Sequence, residues 1–303
     1  MCPSISTANA THVLVLQACG AAFHVECADG AIAALVEIAF GALIVRVPQS
    51  RSEITPRYQI RRGKTPQGFF VSDFEGVGIE IEDADTLLWH LDKSLTLALQ
   101  HRRPDLFFVH AAAVAIGGGV AVLAAPSGTG KSTLIVALLE RGFTYLSDEL
   151  APIDIDRRLV HSYTHAVNLK STPPHPLRLP PGTIAIGSRL HVPTSVLPGA
   201  VVSQEPLPLV AFIFPKRSSE PPARCRRIGN SAGAAHLLAN ALNALAHHND
   251  GVDVAVNLAC SVPCFQIDIR DLSSACADIE AVMTRPSPTS FLASSQTAES
   301  AQG

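Results

Sequence analysis

Ala125-Pro126-Ser127-Gly128-Thr129-Gly130-Lys131-Ser132 is the stretch on which the reading of this chain turns. It matches the pattern G-x-x-x-x-G-K-[ST] at every fixed position but the first, where Ala125 stands for Gly. Gly128 and Gly130 allow backbone conformations that turn successive N–H groups toward one anion. A helix starting near Ser132 adds the positive end of its dipole. Lys131 can reach terminal phosphates as a mobile point charge, and the Ser132 hydroxyl is suited to Mg2+. The expected nucleotide-binding residues are Ser127, Gly128, Thr129, Gly130, Lys131, Ser132 and Thr133. A dinucleotide fingerprint is not supported, because Gly128 and Gly130 lack the third Gly of G-x-G-x-x-G.

The surroundings fit such a loop. From Leu106 to Ala125 the only strongly polar residue is His110. The run is long enough to span a bilayer, but Gly117, Gly118 and Gly119 interrupt it. Three glycines fit a turn between two buried strands, Phe107–Ala115 and Val120–Ala124, better than a helix interior. After the loop, Ser132 to Arg141 reads as a helix apolar nearly all round, hence buried, with Gly142 suited to its C-terminal cap. Thr144 to Leu146 reads as a strand, and Asp148 and Glu149 follow it. A carboxylate at a sheet end near a phosphate loop can meet the metal or take a proton from an attacking hydroxyl. A solvated turn or a helix cap is the plainer reading of the same pair.

Outward from the loop, the chain divides into residues 1–104, 105–284 and 285–303. The first portion reads as a smaller, mixed α/β accessory domain. Its expected strands are His12–Ala18 and Phe23–Ala28, and its expected helices are Gly30–Phe40 and Asp85–Gln100. The second helix has Asp85 or Thr86 as N-cap and a stripe of Leu87, Leu88, Leu91, Leu95 and Leu99. In the second portion, Pro173 to Pro198 reads as loop, Leu209–Phe214 and Phe265–Ile269 as strands, and Ser231–His248 and Ser273–Met283 as helices. The last portion lacks periodicity and reads as a disordered tail.

Composition narrows the function classes. Lys plus Arg number 23 against 26 Asp plus Glu, a net charge of −3, so no basic excess drives nucleic-acid binding. With 47% hydrophobic residues the chain can bury a core. Seven cysteines, an odd number without C-x-x-C, read as thiols in a reducing compartment. The first residues lack a basic n-region, so the expectation is a cytoplasmic protein without a membrane span.

These residues together resemble the HPr kinase/phosphorylase family, in particular its branch of HPr-kinase-related proteins. His110 lies 21 residues before Lys131, where the family carries a His on the strand before the loop. The S-G-x-G-K-S core matches at Ser127 to Ser132. Asp148 lies 17 residues after Lys131, at the first of the family's two adjacent acids. Arg141-Gly142 falls where the family often has an Arg-Gly pair. More loosely, Phe214 to Arg217 and Asn240 to Asn243 look like features of the related branch. The resemblance implies an α/β fold with a phosphoenolpyruvate-carboxykinase-like P-loop domain. It implies ATP and Mg2+ as cofactors, and transfer of the γ-phosphoryl to a Ser or Thr of a protein or peptide. Asp148 would be the general base, with His110 and Lys131 beside it, and Ser132, Asp148 and Glu149 would meet the metal. Family members are commonly oligomeric, so the resemblance leaves room for a homo-oligomer.

The chain also departs from the family. Thr133 stands where bifunctional members have Glu, Glu149 replaces Asp, and no acid occurs between Arg157 and Ser203. Those differences favour a kinase without the reverse phosphorolysis. An ATP-binding scaffold or sensor without catalysis and a P-loop hydrolase are the alternatives. Lys170, Lys216 and Arg217 are further phosphate-contact candidates against a reading as surface charges. His161 and His165 have the spacing of a metal pair but no clear helix to carry it. His247 and His248 read as a solvated helix end, and Trp89 as core.

Overall fold

The computed structural model describes residues 11–45, 57–73, 75–198, 205–217 and 225–284. The tail expected to be disordered lies outside the described residues. The fold is mixed α/β, and two sheets carry most of it.

The first part runs β1 (His12–Ala18), β2 (Ala21–Cys27), α1 (Gly30–Phe40), β3 (Arg57–Arg62), β4 (Phe69–Ser72), β5 (Gly78–Ile81) and α2 (Ala84–Arg102). Its five strands pair in sequence order, antiparallel except for β2 beside β3. Each helix starts on an aspartate cap: Asp29 Oδ1 accepts from Ile32 N at 2.9 Å, and Asp83 Oδ1 from Thr86 N at 2.8 Å. The second cap lies before Asp85 and Thr86, the two residues the sequence offered. The leucine stripe of α2 is buried in full, as its spacing predicts. Strands β3 to β5 were not expected from sequence. In β3 only Tyr58 and Ile60 are buried among four polar residues, a pattern easily taken for a charged loop.

The second part begins with β6 (Leu106–Val109), β7 (Ala111–Ile116), β8 (Gly119–Ala124), α3 (Lys131–Leu139), β9 (Thr144–Ser147), β10 (Ala151–Asp154) and β11 (Leu159–Val160). It continues with β12 (Val167–Leu169), β13 (Ile184–Ile186), β14 (Arg189–Val192), β15 (Leu207–Arg217), β16 (Cys225–Ile228), α4 (Asn230–Ala239), α5 (Val252–Ser261), β17 (Cys264–Ile269) and α6 (Leu272–Thr284). In the large sheet β15 lies between β8 and β17, parallel to both, and β7 and β9 continue antiparallel beyond β8. Alternate residues of β8 enter two different cores. Val120, Val122 and Ala124 pack with α4 and α5, while Ala121 and Leu123 pack with α3 and α6. A strand covered on both faces explains why this stretch is apolar without alternation.

Strand β6 works the same way at another boundary. Leu106 and Phe108 belong to the core of the first sheet, and Phe107 and Val109 to that of the second. The single strand expected from Phe107 to Ala115 is broken at His110. The long helix expected over Ser231–His248 stops at Ala239. There the chain is drawn onto β6: His110 N donates to Asn240 O at 2.7 Å and Leu242 N to Phe108 O at 2.8 Å. The Asn243 side chain completes the join, its Oδ1 accepting from Phe108 N at 2.9 Å and its Nδ2 donating to Leu106 O at 2.8 Å. Nor is the Pro-rich segment all loop, since β13 and β14 form a hairpin to which β12 adds a third strand. Among the described residues, Cys19, Cys27, Cys260, Cys264 and Cys276 are free thiols and no helix is long and apolar enough to cross a membrane.

Candidate functional site

The loop 125–130 leaves the C-terminal end of β8 and enters α3. Gly128 (φ +84°) and Gly130 (φ +99°) take left-handed conformations that disfavour a side chain, and Lys131 begins the helix. Above the loop lies a cavity of about 130 Å3, walled on this side by Ser127, Gly128, Gly130, Lys131, Ser132 and Thr133. Thr129 turns away from it: its Oγ1 donates to Pro126 O at 2.7 Å. Lys131 is 7% exposed, and its ammonium donates to Ala125 O at 2.6 Å. Burial holds its pKa below the usual lysine range, against the pull of Glu149 and Asp148.

Two further cations reach the loop from distant elements. Lys170, just after β12, donates from Nζ to Ser127 Oγ at 3.0 Å. Arg217, the last residue of β15, donates from Nε to Thr129 O at 3.2 Å. Both line the same cavity, as does Arg189 of β14. Lys216 is exposed.

The acidic pair separates into two environments. Asp148, at the end of β9, is 1% exposed, and neither carboxylate oxygen has a hydrogen-bond partner. Burial, then Glu149, pushes its pKa up to about 6, while the neighbouring Ser132 hydroxyl, His165 and Lys131 pull it down. Glu149 instead lines the cavity. Its Oε2 lies 3.4 Å from His110 Nδ1 and 4.0 Å from Lys93 Nζ. Glu149 O also sits 3.1 Å from His110 Nδ1. A carbonyl only accepts, so Nδ1 carries the proton and His110 Nε2 keeps a lone pair in the neutral ring. Burial lowers the His110 pKa, Glu149 opposing it and Lys131 and Lys93 adding to it.

A second cavity, of about 220 Å3, adjoins the first. The two share His110, Ser127, Glu149, Asn168, Lys170 and Arg189. The far wall is α2, which contributes Asp85, Leu88, Trp89, Asp92 and Lys93. Trp89, expected in the core, is 54% exposed on this wall. His165, His191 and, from α1, Ala39 and Phe40 complete the cavity. His161 lines neither cavity and is half-buried near Arg103 and Asp154. His247 is likewise not solvated as expected, but packs edge-on against Phe107 and accepts from Asn243. His248 is exposed, in agreement with the sequence.

Asp148 beside the Ser132 hydroxyl suits a hard divalent cation, because its oxygens are buried and unpartnered. Among the described residues, no cluster of three or more His, Cys, Asp or Glu side chains could hold a metal. The donor set fits Mg2+ that also takes ligands from a nucleotide and water. Sequence reasoning reached the loop, the acid pair, His110, Lys170 and Arg217. It missed the wall on α2, because Asp85, Asp92 and Lys93 are ordinary residues for the polar face of a helix. His191 and Arg189 lay in a segment read as loop.

No protein-family model and no curated protein matches the chain. Among solved structures, the Hpr(Ser) kinase/phosphatase from Coxiella burnetii is similar to it with a TM-score of 0.30 and 17% sequence identity, over 57% of this chain and 94% of that one.

Proposed function

We propose that the chain is a Mg2+-dependent phosphotransferase of the HPr-kinase type, which moves the γ-phosphoryl of ATP to a Ser or Thr hydroxyl of a protein or peptide. The observation that carries this reading is one cavity in which the glycine loop, Lys131, Lys170 and Arg217 meet Glu149, with the enclosed Asp148 beside Ser132 of the same wall. In this reading residues 105–284 form the kinase domain and residues 1–104 the accessory domain.

The chain's own groups divide the work. The loop amides and Lys131 hold the β- and γ-phosphates, Lys131 exchanging its bond to Ala125 O for phosphate oxygens. Lys170 and Arg217 offset the charge of the transferring group. Ser132, Asp148 and Glu149 would hold Mg2+, which when bound neutralises phosphate charge and orients the in-line displacement. The acceptor oxygen attacks the γ-phosphorus, the bond to the β–γ bridging oxygen breaks, and ADP leaves. Asp148 takes the acceptor's proton as general base. His110, hydrogen-bonded at Nδ1 by Glu149, fixes that acid at the boundary of the two cavities.

The test is incubation of the full chain with γ-labelled ATP, Mg2+ and a seryl substrate. Label recovered as phosphoserine supports the reading. Release of inorganic phosphate alone identifies a hydrolase, and ATP binding with neither product identifies a scaffold or sensor.

A further inference from the structure

The larger cavity holds unspent hydrogen-bonding capacity. Three of its wall residues carry buried atoms without a partner: His165 Nε2, Asn168 Oδ1, and both ring nitrogens of His191. His165 is 3% exposed and His191 2%. The sheet places them together, since Asn168 of β12 pairs with His191 of β14 and His165 lies three residues before Asn168. Buried polar atoms left unpaired cost the fold about 1–3 kcal/mol each, so each of these calls for a partner.

The sign of the capacity is legible too. His165 Nδ1 lies 2.7 Å from Ala166 O and must donate to it, which leaves Nε2 as a lone-pair acceptor. Asn168 Oδ1 accepts only, and a neutral His191 offers one acceptor and one donor. What is missing is therefore chiefly a donor. The cations on this wall are already committed: Lys170 to Ser127, Arg189 to Asp85 at 3.4 Å, and Lys93 to Asp92 at 3.2 Å. The cavity has room for about seven water-sized groups at roughly 30 Å3 each, which suits one amino-acid-sized head. It opens onto the phosphate cavity at His110 and Glu149.

We propose that this cavity, walled by α2, binds the phosphoryl acceptor by an ammonium group beside its hydroxyl, so that the acceptor is a β-amino alcohol: a Ser or Thr at the free N-terminus of a peptide, or a free amino alcohol. An ammonium supplies three donors and no acceptor, matching His165 Nε2, Asn168 Oδ1 and one His191 nitrogen. An interior peptide residue offers one N–H and adds a carbonyl that the wall does not need. The inference rests on the phosphotransfer reading and adds its substrate class. The step balances as before: the acceptor O–P bond forms, the bond to ADP breaks, and the hydroxyl proton passes to Asp148. The ammonium keeps its protons.

The experiment compares four probes with the full chain, Mg2+ and γ-labelled ATP. They are a short peptide beginning with Ser, the same peptide N-acetylated, a peptide of equal composition with Ser in its interior, and L-serine. Labelling of the free-amine peptide, of L-serine or of both is expected, and which of them responds separates the two sources. N-acetylation should lower kcat/KM by about 10- to 100-fold, the loss of a charged hydrogen-bonding group. His191→Leu should raise the acceptor KM by a similar factor while its melting temperature holds or rises, because the imidazole it removes is unpaired. Equal labelling of the acetylated or interior-Ser peptide overturns the proposal, as does no labelling of either amine probe by a chain that binds ATP. A chain that binds no ATP fails the phosphotransfer reading instead. Calorimetry of L-serine and the free-amine peptide then decides the cavity alone, with no binding by either overturning the proposal.

Discussion

The Lys131 ammonium donates to the Ala125 carbonyl, 2.6 Å away and six residues back along the chain. The lysine thus closes the loop on itself, and its burial weakens its hold on the proton. A triphosphate entering the loop offers it a better acceptor. Lys131→Ala should cut ATP affinity by about 10- to 100-fold, the worth of a hydrogen bond to a charged group. Isothermal titration with ATP and Mg2+ checks this, and an unchanged affinity would remove Lys131 from the phosphate clamp.

Asp148→Asn should keep ATP binding and lose about 100- to 10,000-fold in transfer rate, the range of general acid–base catalysis. It should also stabilise the apoprotein at high pH. The folded carboxyl titrates near 6 against an ordinary value of 3.8, so its ionised form weighs on the native state. That penalty is full above about pH 6 and fades as pH falls toward the ordinary value. Melting curves of the two proteins at pH 8 and pH 4.5 should therefore separate at the first pH, by about 1–2 kcal/mol, and approach each other at the second.

Lys170→Ala and Arg217→Ala each remove a cation held against the loop. Each should reduce the single-turnover rate by about 10- to 1,000-fold, with a smaller loss of ATP affinity, if the charges act mainly in the transition state. A rate as fast as wild type in both variants would return them to the surface charges they resemble in sequence.

Asn243→Ala strips both partners from β6 in one change. Phe108 N–H and Leu106 C=O would be left buried and unpaired. A loss of about 2–4 kcal/mol is expected in chemical denaturation.

Much of this was legible in the chain itself, where local rules coincide with the fold. The run from Leu106 to Ala125, the glycines of the loop and the leucine stripe of α2 each obey one period or one conformational need. The failures lie where a distant partner overrides a local preference. Nothing between Ser231 and His248 announces a stop at Ala239, because the partners that end the helix are Phe108 and His110, more than a hundred residues earlier. Trp89 is apolar, a type that predicts a core position, yet it lines a polar cavity. Strand β3 carries its two buried residues among charges. The acid pair was found by position, but only burial distinguishes Asp148, enclosed and unpartnered, from Glu149, which faces the cavity.

Alternate side chains of one four-residue strand, β6, belong to two cores. Each half of the molecule thus borrows apolar surface from the same short ribbon and cannot melt without stripping the other. Heating should give one calorimetric peak rather than two. A cut at residue 105 should yield no soluble half, since it frees Leu106 and Phe108 to seek other company.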